Sequence, residues 1–449
     1  GSAGDYCDTL RRLVFRGVAS GSGFVVTWDE GKNDPGAEGA YWQEQVPSWV
    51  KDSSGDVLGI ENTDGSIFYT GLSTNSVVLF GDSITAYNGG PGSGSPSIYD
   101  SKGFFVWANT LLGNRLRVLN NSGVAGETTA QMLLRVQTGI IDYAPQFVTI
   151  LAGTNDLTAD VPASTIISNL QAIYVACVNA GINVVAIPIL PRTGLTGAQE
   201  TVMRTVNAWI VEYARTLPRM TVCNMGSAIA DPTTNWQPAS GLLLDTVHPN
   251  SPAAAAMGKL LAAHLDRMVA PFDFLGSGTG SSDNLLTNPN FNGSSTTIAS
   301  SWSASGSPTF SYIARTDGVR GNWMQVAVAN DASSAVTSNV SIGATLAIGE
   351  TIQAGLEFQV DSLQSAPAAN TQSFHMAVRP YNGSSFFAGA YAAYWDSSYV
   401  NFQFPGTSGI FVTPPYVVPA TTTLMQLQIS CNRGGNYRLG RAFVRKVTL

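Results

Sequence analysis

Of the three histidines in the sequence, one stands in a setting suited to proton transfer. His248 lies in Leu244-Asp245-Thr246-Val247-His248-Pro249-Asn250, a loop ahead of a helical pattern, with Asp245 three residues before it. In an extended or turn segment that spacing lets a carboxylate reach the imidazole and hold its tautomer, the part an acid plays beside a general base. Pro249 cannot continue a preceding helix and helps to fix the loop. His264 shares a face with Leu260, Leu261 and Met268 and reads as a helix-surface or core residue. His375 falls inside an alternating strand pattern. A base needs something to deprotonate, and Gly81-Asp82-Ser83-Ile84-Thr85 supplies it. Ser83 follows directly on an apolar run, and its hydroxyl is a weak nucleophile until a base takes its proton.

Two more polar loops follow apolar runs. In Leu151-Ala152-Gly153-Thr154-Asn155-Asp156, the Asn155 amide can donate to an oxyanion that develops during acyl transfer. In the stretch from Asn121 to Thr129, Gly126 can present its backbone N–H without a side chain in the way. Taken singly, Gly81 and Gly153 read equally well as tight turns after strands, and Asp82 and Asp156 as capping or turn residues. Those readings do not account for a loop histidine with its own aspartate.

The elements around these loops alternate. Val77–Phe80, Leu116–Leu119, Phe147–Leu151, Ile182–Ile189 and Met220–Cys223 have the profile of buried parallel strands. Thr128–Val136, Ser164–Ala180, Gly197–Leu217 and Pro252–Val269 read as the helices between them. The pattern predicts an α/β domain over 76–272, a parallel sheet with helices on both faces and its ligand site beyond the carboxyl ends of the strands. A linker, 273–283, contains Gly276-Ser277-Gly278-Thr279-Gly280-Ser281-Ser282 and predicts few contacts across it. Over 284–449 short strands separated by turn residues predict an all-β sandwich. Residues 1–75, with Trp28, Trp42 and Trp49 among many Gly, Asp and Ser, predict a small β-rich segment.

Composition bounds the partners. Only 12% of the 449 residues are charged, about half the soluble average, which leans toward an extracellular or virion-associated protein. A net charge of −7 argues against nucleic acid, which needs a concentrated basic surface. No apolar run is long enough for a membrane span, and residues 1–4 carry neither the basic nor the apolar region of a signal peptide. Cys7, Cys177, Cys223 and Cys431 have no metal-ligand spacing and read as small buried apolar residues, with a Cys177–Cys223 pair left open. Oligomeric state is open too, a homo-oligomer included.

Gly-Asp-Ser at 81–83, Gly126, Gly-Thr-Asn-Asp at 153–156 and Asp-x-x-His at 245–248 together resemble the four blocks of the SGNH (GDSL-like) hydrolase superfamily, in order, over about residues 76–270. The resemblance implies a flavodoxin-like, three-layer α/β fold, with Ser83 as nucleophile, His248 as base and Asp245 as its orienting acid. It also implies an oxyanion hole of Gly126, Asn155 and the Ser83 N–H, and no metal or organic cofactor. No Gly-x-Ser-x-Gly elbow of the α/β-hydrolase kind occurs. Asn284-Leu285-Leu286-Thr287-Asn288-Pro289-Asn290-Phe291 is similar to the opening of jelly-roll carbohydrate-binding modules. Phe386, Phe387, Tyr391, Tyr394 and Trp395 then become candidates for sugar stacking or, equally, for sandwich core. The expected activity is hydrolysis of carboxylic esters, foremost removal of O-acetyl groups from a polysaccharide. The domain arrangement also resembles phage tail proteins that carry such a deacetylase. The alternatives are a lipid or thioester esterase whose β domain serves assembly, and a glycan-attachment protein without activity.

Overall fold

The computed structural model describes residues 75–447 apart from 235, 271–283, 294–295, 318, 320, 330–333, 344, 364–373 and 395–406, together with three short strands nearer the N-terminus. The chain divides into two compact units, Gly1–Leu72 and Ser73–Leu449. In the first, β1 (Ser48–Lys51), β2 (Val57–Glu61) and β3 (Ile67–Phe68) form an antiparallel sheet. Cys7, Trp28 and Trp42 lie outside the described residues.

The second unit opens with β4 (Ser76–Gly81), β5 (Ile98–Asp100), β6 (Arg117–Gly123), β7 (Phe147–Leu151), β8 (Asn183–Ile187) and β9 (Met220–Val222). All but β5 form one parallel sheet in the order β6-β4-β7-β8-β9. This is the flavodoxin-like order, and its direction reverses between β4 and β7, where doubly wound folds bind ligands.

Strand β4 shows why the sheet needs helices on both faces. Val77 and Leu79 point into one core, with the helices Phe104–Leu111 and Ser251–Leu265. Val78 and Phe80 point into the other, with Thr129–Leu134, Ala163–Asn179 and Gly197–Ala214. A strand buried on both sides carries no polar alternation, hence its uninterrupted apolar run. The thiols of Cys177 and Cys223 are free and sit in opposite cores, so they do not pair. Burial pushes both up to about 12.

Beyond residue 283 the chain builds two facing antiparallel sheets. One runs Ser303–Ser305, Ala335–Ser341, Leu424–Cys431, Phe374–Asn382, Ala390–Tyr394; the other Thr309–Ala314, Asn322–Val328, Gly435–Lys446, Thr351–Leu363, Thr407–Val412. Met376, Val378, Leu427 and Ile429 of the first pack against Met324, Val326, Leu356 and Phe358 of the second.

The linker composition predicts few contacts between the two layouts, and here the structure differs. Val106, Trp107, Ala254 and Ala255 of the α/β region belong to the sandwich core cluster. Trp107, 1% exposed, meets the Phe411 ring edge-on at 6.4 Å between centroids, and the Asn114 amide donates to the Ile410 carbonyl. Strand β5, which lies inside the Gly-, Ser- and Pro-rich loop 86–103, joins the first sandwich sheet by pairing in parallel with Ala390–Tyr394. The physical reason is apolar area: a Gly/Ser linker permits separation, but a helix with Trp107 on its outer side gains by being covered.

A shared core predicts shared melting. Trp107→Ala should cost about 3–5 kcal/mol, the usual range for a buried aromatic. Calorimetry should show the α/β layers and the sandwich shifting down together. A sandwich that still melts at its original temperature in the variant would contradict this.

Candidate functional site

The site grows from the ends of β4 and β7. Gly81, last in β4, has no room for a side chain: a Cβ there would lie 2.4 Å from the Leu151 carbonyl oxygen and 2.2 Å from Thr85 Oγ1. With that clearance the chain turns at once. Asp82 stays extended and caps the short helix Ser83–Ala86, its Oδ1 accepting from the Ile84 N–H at 2.9 Å. Ser83 is thereby held half-buried at the carboxyl edge of the sheet.

Ser83 Oγ lies 2.8 Å from His248 Nε2, and His248 Nδ1 lies 2.7 Å from Asp245 Oδ2. The other Asp245 oxygen accepts the backbone N–H groups of Val247 at 2.7 Å and His248 at 2.8 Å. Partial burial would push the Asp245 carboxyl up. The hydrogen bonds from His248 and Val247 outweigh it and hold the group below its ordinary value. An ionised Asp245 accepts from Nδ1–H, which leaves Nε2 as the lone-pair nitrogen facing the serine. The loop is closed by the Leu244 N–H on the His248 carbonyl and by Asn250, which caps the helix Ser251–Leu265. The edge of the Tyr87 ring meets the imidazole, 5.3 Å between centroids.

At the end of β7, Gly153 takes φ +112°, a conformation that favours glycine, and starts the short helix Thr154–Thr158. Asn155 Nδ2 donates to the Glu127 carbonyl at 2.9 Å, which brings the amide beside Gly126. Its second amide proton has no partner among the described residues. Gly126 is exposed with φ +79°. Asp156, fully buried, takes the Thr129 N–H at 2.8 Å and the Thr129 hydroxyl at 2.6 Å, pinning the helix that follows the Gly126 loop. Asp82 and Asp156 therefore act as caps, as their residue types predict.

The structure brings Ser83, Asp245 and His248 together, and separately Gly126 with Asn155. His264 instead bonds Thr221 Oγ1 through Nε2 at 2.9 Å, and His375 lies buried in the sandwich, pushed down to about 4 by burial. Two residues that border the site went unremarked in the sequence: Tyr87, against the His248 ring, and Arg192, whose Nη1 donates to the Thr154 carbonyl at 3.2 Å. Arg192 had a signal: it follows β8 closely, as Ser83 and Asn155 follow their strands. Among the described residues no group of three or more His, Cys, Asp or Glu could hold a metal ion, and no helix is long and apolar enough to cross a membrane.

Burial pushes Asp82 up to about 7 against the pull of its Ile84 hydrogen bond, and Asp156 nearby adds to the rise. Its folded value thus exceeds the unfolded one of 3.8, so the folded chain holds a proton that the unfolded chain releases between those values. This contribution is full below about pH 4 and is lost as the pH rises toward about 7, by about 1.4 kcal/mol per pH unit at most. Asp82→Asn cannot ionise. Its stability relative to the unsubstituted chain should therefore climb over that window and then level, as measured by urea unfolding across pH. A difference that stays flat would refute the buried-acid account.

Residues 79–256 match the model of the GDSL-like Lipase/Acylhydrolase family, less than half of the chain. No curated protein matches the chain. Solved structures that resemble it include a GDSL-like lipase from Bacteroides thetaiotaomicron, 20% identical, covering 45% of this chain and 93% of that one, with a TM-score of 0.35. A carbohydrate esterase of family 3 from Talaromyces cellulolyticus is 17% identical over 43% and 97%, TM-score 0.34. An acetyl-xylooligosaccharide esterase variant from Geobacillus Stearmophilus is 16% identical over 44% and 94%, TM-score 0.36. The parallel-sheet region that presents Ser83 and His248 is a GDSL-like acylhydrolase domain, and the chain that carries it is a hydrolase.

Proposed function

We propose that the chain hydrolyses carbohydrate-linked carboxylic esters, foremost O-acetyl groups, with Ser83, His248 and Asp245 as its catalytic triad. The observation that carries the reading is the unbroken relay from Ser83 Oγ to His248 Nε2 at 2.8 Å and from His248 Nδ1 to Asp245 at 2.7 Å. As Ser83 attacks the ester carbonyl, His248 Nε2 takes the hydroxyl proton, and Asp245 steadies the imidazolium. Charge then gathers on the carbonyl oxygen. The Ser83 and Gly126 N–H groups and the Asn155 amide are the donors available to it. His248 returns the proton to the leaving sugar hydroxyl, and water, activated by the same base, releases acetate.

The sugar part rests on two surfaces. Loop 86–103 is rich in Gly, Ser and Pro, unlike the apolar lid expected over a fatty-acyl site. On the sandwich, Phe386 is 55% and Phe387 37% exposed, and the Arg379 guanidinium lies over the Phe386 ring at 5.0 Å. Exposed aromatic faces suit the apolar faces of pyranose rings. Trp395 lies outside the described residues.

Purified protein should release acetate from acetylated polysaccharides and cleave p-nitrophenyl acetate far faster than long-chain esters. Ser83→Ala should remove both activities, by several orders of magnitude in turnover, with an unchanged melting temperature. Asn155→Ala should slow turnover by about 10²–10³ with KM nearly unchanged. Preference for long acyl chains would favour a lipid esterase instead, and glycan binding without hydrolysis an attachment protein.

A further inference from the structure

Arg192 is 8% exposed and lies between the two halves of the site. Its Nη1 donates to the Thr154 carbonyl at 3.2 Å, to Thr154 Oγ1 at 3.3 Å and to Thr158 Oγ1 at 2.9 Å. Those contacts hold the one-turn helix that carries Asn155. The next residue, Thr193, donates its N–H to the Thr246 carbonyl at 3.0 Å, inside the Asp245–His248 loop. Arg192 Nε is buried without a partner among the described residues. A buried guanidinium so sparsely bonded is costly, and an apolar residue of similar volume would pack there at less expense. Burial lowers its affinity for a proton while the Asp245 carboxylate raises it, so the two charges interact across the gap.

We propose that Arg192 is a positioning residue for ester hydrolysis: through Thr154 and Thr158 it sets Asn155 against the Asp245–His248 loop, and its charge biases the acid–base pair. The inference rests on the triad reading. His248 is faced by Asp245 on its own loop, by Asp82 behind Ser83, and by the Tyr87 ring, which has Lys102 Nζ 5.0 Å from its centroid. Arg192 adds a positive charge on the Asp245 side.

The test uses the full chain with p-nitrophenyl acetate. Arg192→Met should lower kcat by about 10- to 100-fold, the scale of a misplaced catalytic group, with KM within about twofold. Losing a nearby positive charge favours the imidazolium, so the acid limb of kcat/KM should move up by roughly half a pH unit. Arg192→Lys should return the limb to its original place while recovering only part of kcat. Should Arg192→Met not fold, Thr158→Val and Arg192→Lys decide: both keep the charge, and both should lower kcat with the limb unmoved. Unchanged kcat in these variants overturns the proposal. So does an equal loss in Met and Lys variants with no movement of the limb, the mark of a merely structural residue. Failure of the triad reading is separate and visible as activity that survives Ser83→Ala.

Discussion

The helix Phe104–Leu111 has no solvent face, and much of the architecture follows from that. Phe104, Phe105 and Ala108 fill the core beneath β4, while Val106 and Trp107 on the other side enter the sandwich. Even its polar residues, Asn109 and Thr110, are buried, and a helix with so little polar surface must be covered on every side. The sandwich is therefore one wall of the hydrolase rather than a module at the end of a tether. The helix shares one core with Ile84, the neighbour of Ser83, and another with the sandwich, and loop 86–103 leads into it. That loop is held from both directions: on the α/β side Asn121 donates to the loop's Ala86 and Gly89 carbonyls while the loop's own Asn88 bonds Thr85 and Phe105, and from the sandwich Tyr391 donates its N–H to the Ser97 carbonyl.

The site gathers ionisable groups where the protein is most buried. Asp82, Asp156 and Arg192 are all buried behind the loops that carry Ser83, Asn155 and Asp245. None of the three bonds Ser83 or the His248 ring; each bonds a turn of backbone or a threonine that supports the residue in front. In a low-dielectric setting such bonds are stronger and fix geometry more tightly than their exposed counterparts. The half-exposed Asp245 works differently, ionised because three donors converge on it.

Much of this was legible in the sequence because the parallel sheet marks its own functional edge. Each apolar run ends where a loop must emerge, so Ser83, Gly126 and Asn155 could be placed by counting past the strands. Asp245 and His248 needed only their spacing. What stayed hidden depends on contacts between distant segments. Phe104–Leu111 lacks the polar stripe that announces a helix, because two cores claim it. Ile98-Tyr99-Asp100 becomes a strand only through its partner Ala390–Tyr394. Arg192 was obscured because the run Ile182–Ile189 reads as one strand, whereas β8 stops at Ile187 and the apolar residues beyond it already belong to the loop.

Strand β5 also does something for the sandwich. Ala390–Tyr394 would otherwise end its sheet with an open row of backbone N–H and carbonyl groups, the template on which one chain pairs with another. The hydrolase domain closes that row with three residues of its own, too short to offer a further template. The loop bordering Ser83 thus doubles as a guard against edge-to-edge assembly, and its composition answers to the needs of the sandwich edge as well as to those of the site.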